Sequence, residues 1–158
     1  IWFNTFGVDD YMDSGKALTK TRDGNYILTG IRGPDFLNYD FTQVWVIKFN
    51  ENGDIIWQGS YGRNHSNRGY SIKETVDGGY IITGGSFKEG RDFDLLLLKI
   101  DEKGNEVWKR IYGGKNYDEG FSVIPMLNGG FTVLGRTGSY SGNIDYWLIK
   151  TDKMGKYQ

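Results

Sequence analysis

One stretch of sequence occurs three times along this chain in a fixed register, which constrains the fold more than any single residue does. Trp2, Trp57 and Trp108 mark the copies, 55 and 51 residues apart. Lys48, Lys99 and Lys150 recur at 51 and 51, as do Gly53, Gly104 and Gly155. Gly15, Gly69 and Gly120 recur at 54 and 51. The copies span 2–56, 57–107 and 108–158, and the first is four residues longer than the others. One extra residue falls between Trp2 and Gly15 and three fall between Gly30 and Lys48, so those places are loops and the rest is a fixed frame.

Each copy reads as short β-strands joined by tight turns. Ser71–Thr75 and Tyr80–Gly84 flank Asp77-Gly78-Gly79, a hairpin signal. Asp94–Ile100 and Glu106–Tyr112 flank Asp101-Glu102-Lys103-Gly104, which suits a type I turn closed by a left-handed Gly. The third strand reads VWVIKF, LLLLKI and YWLIKT; apolar residues at consecutive positions predict burial on both faces. The first strand keeps a small residue, Ala17, Ser71 or Ser122, as a strand crowded near an axis requires. No apolar stripe of helical period lasts ten residues, and 24 glycines punctuate every run. The expected fold is all-β: three four-stranded antiparallel sheets stacked face to face as β-propeller blades in one domain over 1–158.

Propellers have about 4–8 blades, so three do not close a ring. The strand around Trp2 lacks the partner that precedes Trp57 and Trp108, and Tyr146–Thr151 lacks one after it. The ring is therefore expected to be completed by a second chain, three blades plus three, with Trp2–Phe6 of one copy laid on the last sheet of the other. The alternative is that this chain, which starts at Ile1, is an excised piece of a longer propeller.

Asp77-Gly78-Gly79-Tyr80, Asp94 to Lys99, Asp101 to Gly104, Trp108 and Tyr112-Gly113-Gly114 together form a motif that covers essentially the whole chain in three copies. It resembles the Gly- and Trp-rich propeller repeats of bacterial and archaeal surface proteins, loosely related to kelch-type blades. Copy three departs from it at Pro125 and Asn128, and copy one at Phe6-Gly7. The resemblance implies a β-propeller at a cell surface or outside the cell. It implies no single activity, because such modules hold many roles.

The composition narrows the chemistry. A net charge of −1, from 19 basic and 20 acidic residues, provides no field for nucleic acid or an anionic membrane. The longest apolar run, Leu95–Leu98, is far too short to span a bilayer. There is no Cys, and His65 is the single histidine, so neither a thiolate nor a zinc site is expected. The loop Asp101–Asn105 lacks the alternating ligands and distal Glu of a calcium loop. No cofactor is expected.

Strand alternation puts the turns 22–25, 76–79, 127–130, 50–54, 101–105 and 152–155 at one end of the sheets. The longer loops, 7–15, 62–69, 113–120, 31–43, 85–93 and 136–144, lie at the other and carry all the length variation. The expected function is a non-catalytic binding or scaffolding module that offers this long-loop face to a glycan or protein. Tyr11, Phe36, Tyr39, Asp40, His65, Asp92, Tyr117 and Tyr140 are its candidate ligand-binding residues. One alternative is a structural unit that self-assembles through exchanged strands. Another is a hydrolase using loop carboxylates such as Asp40 and Asp92. Trp2, Trp57 and Trp108 are expected to pack, and the three recurring lysines to pair with a repeated carboxylate.

Overall fold

The structure is a computed structural model, and it describes residues 2–7, 9, 11–34, 41–62, 66–87 and 92–157. The described residues form three antiparallel sheets and no helix. The first sheet holds β1 (Met12–Lys20), β2 (Tyr26–Gly33), β3 (Gln43–Phe49) and β4 (Ile55–Tyr61), paired in that order. The second holds β5 (Ser66–Glu74), β6 (Tyr80–Phe87), β7 (Phe93–Ile100) and β8 (Glu106–Tyr112). The third holds β9 (Asp118–Pro125), β10 (Phe131–Thr137) and β11 (Asp145–Thr151). Among the described residues its fourth strand is represented by an isolated bridge from Thr151 to Tyr157, so this sheet shows three strands where four were expected.

The strands run further toward the long-loop end than the turn signals suggested. The glycines read as loop boundaries sit inside the first strands. A bulge shifts the register between Gly15 and Ala17 and again between Gly69 and Ser71, and pairing then resumes. The third sheet repeats the irregularity between Leu134 and Gly135 of the partner strand. Each bulge faces a glycine on the second strand: a Cβ on Gly30, Gly84 or Gly135 would overlap the carbonyl oxygen of Ser14, Arg68 or Glu119 respectively. This close approach explains why a glycine recurs in that strand.

Face-to-face packing buries two cores. Ile27, Val44 and Val46 of the first sheet meet Ile72, Ile82, Leu96 and Leu98 of the second. On its other side the second sheet sets Ile81, Leu95 and Leu97 against Val123, Val133 and Ile149 of the third. The central strand β7 is thus covered on both faces, as its unbroken apolar run requires. The first strands of neighbouring sheets approach one another: Thr19 Oγ1 donates to the Ile72 carbonyl at 3.1 Å, and the Val123 amide donates to Ser71 Oγ at 3.4 Å.

The recurring lysines lie between sheets and pair with turn carboxylates. Lys48 Nζ reaches Asp23 at 2.6 Å and Lys99 Nζ reaches Asp77 at 3.1 Å. Lys48 also lies 5.7 Å from the ring centre of Tyr80 on the next sheet. Copy three has Asn128 in place of the aspartate, and its Lys150 is exposed. At the turns between third and fourth strands, Gly53, Gly104 and Gly155 have φ of 87°, 85° and 73°. Asp101 Oδ1 accepts the amides of Lys103 and Asn105, which makes 101–105 a closed turn.

Residues 2–7 form no strand but are not loose. The indole of Trp2 donates to the Glu51 carbonyl at 3.0 Å, and Phe6 packs 5.6 Å from Phe49.

Candidate binding site at the long-loop end

At the long-loop end of the third sheet two loops are laced together. Asn116 donates its side-chain amide to the Gly138 carbonyl at 2.7 Å, and its backbone amide donates to Ser139 Oγ at 3.2 Å. The Gly138 amide donates to the Tyr117 carbonyl at 2.8 Å. Asp118, fully buried at the start of β9, anchors both loops: it accepts the Gly114 amide at 3.0 Å and Ser139 Oγ at 2.7 Å. A carboxylate that gathers backbone and hydroxyl donors in this way fixes the loop it sits under.

Above this brace stands Tyr140, 64% exposed, with its ring 5.4 Å from that of Trp147 on β11. The loop continues through Ser141, whose hydroxyl donates to the carboxylate of Asp145 and accepts the Asn143 amide at 3.4 Å. Tyr140 therefore offers an open aromatic face, backed by an indole, in a loop whose Asn143 and Asp145 side chains are exposed. Such a surface can stack on an apolar ring face and hydrogen-bond at its rim.

Beneath the loops lies a charged and aromatic cluster. Glu119 is buried and accepts from Arg136 Nη2 at 2.9 Å, from the Tyr70 hydroxyl at 3.1 Å and from the Tyr117 hydroxyl at 3.4 Å. The Arg136 guanidinium lies 4.7 Å from the ring centre of Tyr117, which in turn packs 5.3 Å from Phe93. Burial pushes the Tyr70 hydroxyl up to about 12, and the Glu119 carboxylate adds to the rise against the opposing effect of Arg68. Burial raises Tyr117 as well, again with Glu119 contributing. These hydroxyls stay protonated and serve as donors.

Of the residues singled out from sequence, Tyr117 and Tyr140 flank this loop pair, Tyr117 half-buried in the support and Tyr140 open. Tyr11 is half-exposed just before β1, and Asp92 is exposed just before β7, at the same end of other sheets. Phe36, Tyr39, Asp40 and His65 lie outside the described residues. Glu119, Arg136 and Asp118 were not found from sequence. The signal was there as broken repetition: Glu119 stands where the other copies have Ser14 and Arg68, and Arg136 where they have Ile31 and Gly85.

Among the described residues no group of three or more His, Cys, Asp or Glu is placed to hold a metal ion, and no helix is long and apolar enough to cross a membrane. No protein-family model and no curated protein matches the chain.

Proposed function

We propose that this chain is a non-catalytic binding and scaffolding module of the β-propeller type, working at a cell surface or outside the cell, that presents its long-loop end to a glycan. The observation that carries this reading is Tyr140, an exposed ring held by Trp147 above two loops that are tied to each other and to a buried carboxylate. Fixing a ring before binding removes part of the ordering cost that a mobile loop incurs on association. The charged groups beneath it, Glu119 and Arg136, are engaged with each other, which suits support more than turnover. The kinship with Gly- and Trp-rich surface-protein repeats belongs to the same proposal.

The test is a glycan array probed with the wild-type chain and with Tyr140→Ala. A retained sugar that is lost with Tyr140→Ala, while the circular dichroism spectrum stays unchanged, supports the reading. Equal retention by both proteins, or no retained sugar, contradicts it.

A further inference from the structure

The two ends of the sheet stack carry the two halves of an interface that the chain already uses twice. Gly69 on β5 faces Thr29 Oγ1 and Val44 of the preceding sheet, where an added Cβ would stand 3.0 Å from Val44 Cγ1. Gly120 on β9 faces Thr83 Oγ1 and Leu95 in the same way, with Leu95 Cγ at 3.1 Å. A Cβ on Gly15, the third member of the series, would meet nothing within 4 Å among the described residues. Leu18 beside it is 60% exposed, whereas its counterparts Ile72 and Val123 are fully buried.

The missing neighbours have counterparts on the far face of the third sheet. Leu134 holds the place of Thr29 and Thr83, and Tyr146 holds that of Val44 and Leu95. Tyr146 is 93% exposed and Leu148 69%, whereas Leu97 and Val46, the counterparts of Leu148, are completely covered by the next sheet. A cavity of about 460 Å³ opens there, lined by Phe121, Leu134, Arg136, Ile144 and Tyr146. In the second sheet the corresponding seat is filled by Glu119 and Gly120 of the third, so the residues fitting the empty seat are Ser14 and Gly15.

The N-terminal ribbon completes the match. Trp2 ring carbons lie 3.0 Å and 3.1 Å from a Cβ built on Gly53, as those of Trp57 do at 3.0 Å on Gly104 and those of Trp108 at 3.0 Å on Gly155. Trp57 and Trp108 belong to the fourth strand of the preceding sheet. Trp2 sits against the first sheet as those fourth-strand tryptophans sit against the sheets that follow theirs, and among the described residues the third sheet shows three strands and a bridge at Tyr157.

We propose that a second copy of this chain covers this face, its Trp2–Phe6 ribbon pairing antiparallel along β11 and its first sheet stacking on the third. Lys48 opposite Trp57 and Lys99 opposite Trp108 set the register: Lys150 meets the second copy's Trp2, Leu148 its Asn4 and Tyr146 its Phe6. Tyr157, already bridged to Thr151, holds the place of Ile55 and Glu106, two positions before that of Trp57 and Trp108, so the incoming ribbon enters the line of the same strand just beyond it. The contact is head to tail, and two copies related by a twofold axis close it into six sheets, within the range of about 4–8 that propellers use. The inference is independent of the glycan reading.

Sedimentation equilibrium of the full chain and of Leu148→Glu tests it. Because Leu148 is exposed in the single chain, the charge leaves the fold intact, which circular dichroism checks; in the assembly it would be buried without a partner. The expected result is twice the 18.0 kDa chain mass for the wild type and a single mass for Leu148→Glu. A wild type of single mass at every concentration overturns the proposal. So does a mass of three or more copies, or a doubled mass that Leu148→Glu leaves intact.

Discussion

The side-chain amide of Asn4 donates to the carbonyl oxygen of Gly53 at 3.1 Å. One sheet further on, the equivalent carbonyl, that of Gly104, receives the Tyr61 hydroxyl at 2.7 Å, and the carbonyl of Gly155 receives that of Tyr112. Copy one has Phe6 where the others have these tyrosines, so it has no hydroxyl to give. Asn4 stands where copy two has Gly59, whose hydrogen leaves room for the Tyr61 hydroxyl. The same acceptor is satisfied from a different residue of the same ribbon.

That exchange predicts a compensation. Asn4→Gly removes one hydrogen bond and should lower stability by about 1 kcal/mol, read as a shift in the urea midpoint. Adding Phe6→Tyr recreates the pattern of Gly59 and Tyr61 and should recover most of the loss. No recovery would mean the two ribbons do not share a geometry.

The bulge glycines should be unequal. Gly84→Ala drives a methyl group into the Arg68 carbonyl and should cost about 3 kcal/mol, at the upper end of overpacking effects. Gly15→Ala meets nothing among the described residues of the single chain and should change stability there by no more than about 0.5 kcal/mol. Thermal unfolding of the two variants in the Leu148→Glu background, with the proposed assembly removed, makes the comparison.

Acid should expose the lysine pairs. The hydrogen bond from Lys48, aided by Thr21, holds the Asp23 carboxyl well below the usual carboxylate range. A lowered folded value adds stability that is fully present above the unfolded value of about 3.9 and is lost as pH falls through the folded one. Lys48→Met should therefore be less stable than wild type at neutral pH, with the gap narrowing as pH falls below about 4. Because Asp23 is half-exposed, screening limits the effect to about 1 kcal/mol.

Alkali should act through Tyr112. Burial pushes its hydroxyl up to about 12, while the unfolded chain ionises near about 10. Its contribution is present below the unfolded value and is lost as pH rises toward the folded one. Tyr112→Phe should lose about 1 kcal/mol at neutral pH and show a flatter decline across that alkaline window, followed by denaturant titration.

The third sheet's support depends on Arg136. Arg136→Met takes from the buried Glu119 carboxylate the cation it is paired with, leaving it the two tyrosine hydroxyls, and should destabilise by about 3 kcal/mol. Glu119→Gln in the same background should recover part of that loss by removing the charge, measured by urea unfolding.

The strands and turns were legible because their causes are local and occur three times. Asp77-Gly78-Gly79 makes its turn wherever it stands, and the consecutive apolar run Leu95–Leu98 can only belong to a strand covered on both sides. The bulges were not legible: Gly15, Gly69 and Gly120 look like loop glycines in sequence, and only the pairing across to Gly30, Gly84 and Gly135 shows that the strand goes on. The Glu119–Arg136 pair was hidden for the opposite reason. Repetition directs attention to positions that agree, while this pair occupies positions where copy three differs from its siblings. That the recurring lysines pair with a repeated carboxylate was expected, and it holds for Lys48 and Lys99 but not for Lys150, whose turn has Asn128; Asn4 replacing a tyrosine hydroxyl joins two differently numbered positions and needed coordinates.

In the proposed assembly the outer edge of β11 is a paired edge in solution. Amide hydrogen exchange along Tyr146–Thr151, set beside that of the equivalent strand Leu95–Ile100, tests it most directly. Slow exchange is expected at every amide of both strands, including those of β11 that face away from β10. Exchange of those outward amides at the rate of an unprotected chain, while Leu95–Ile100 stays protected, would contradict it.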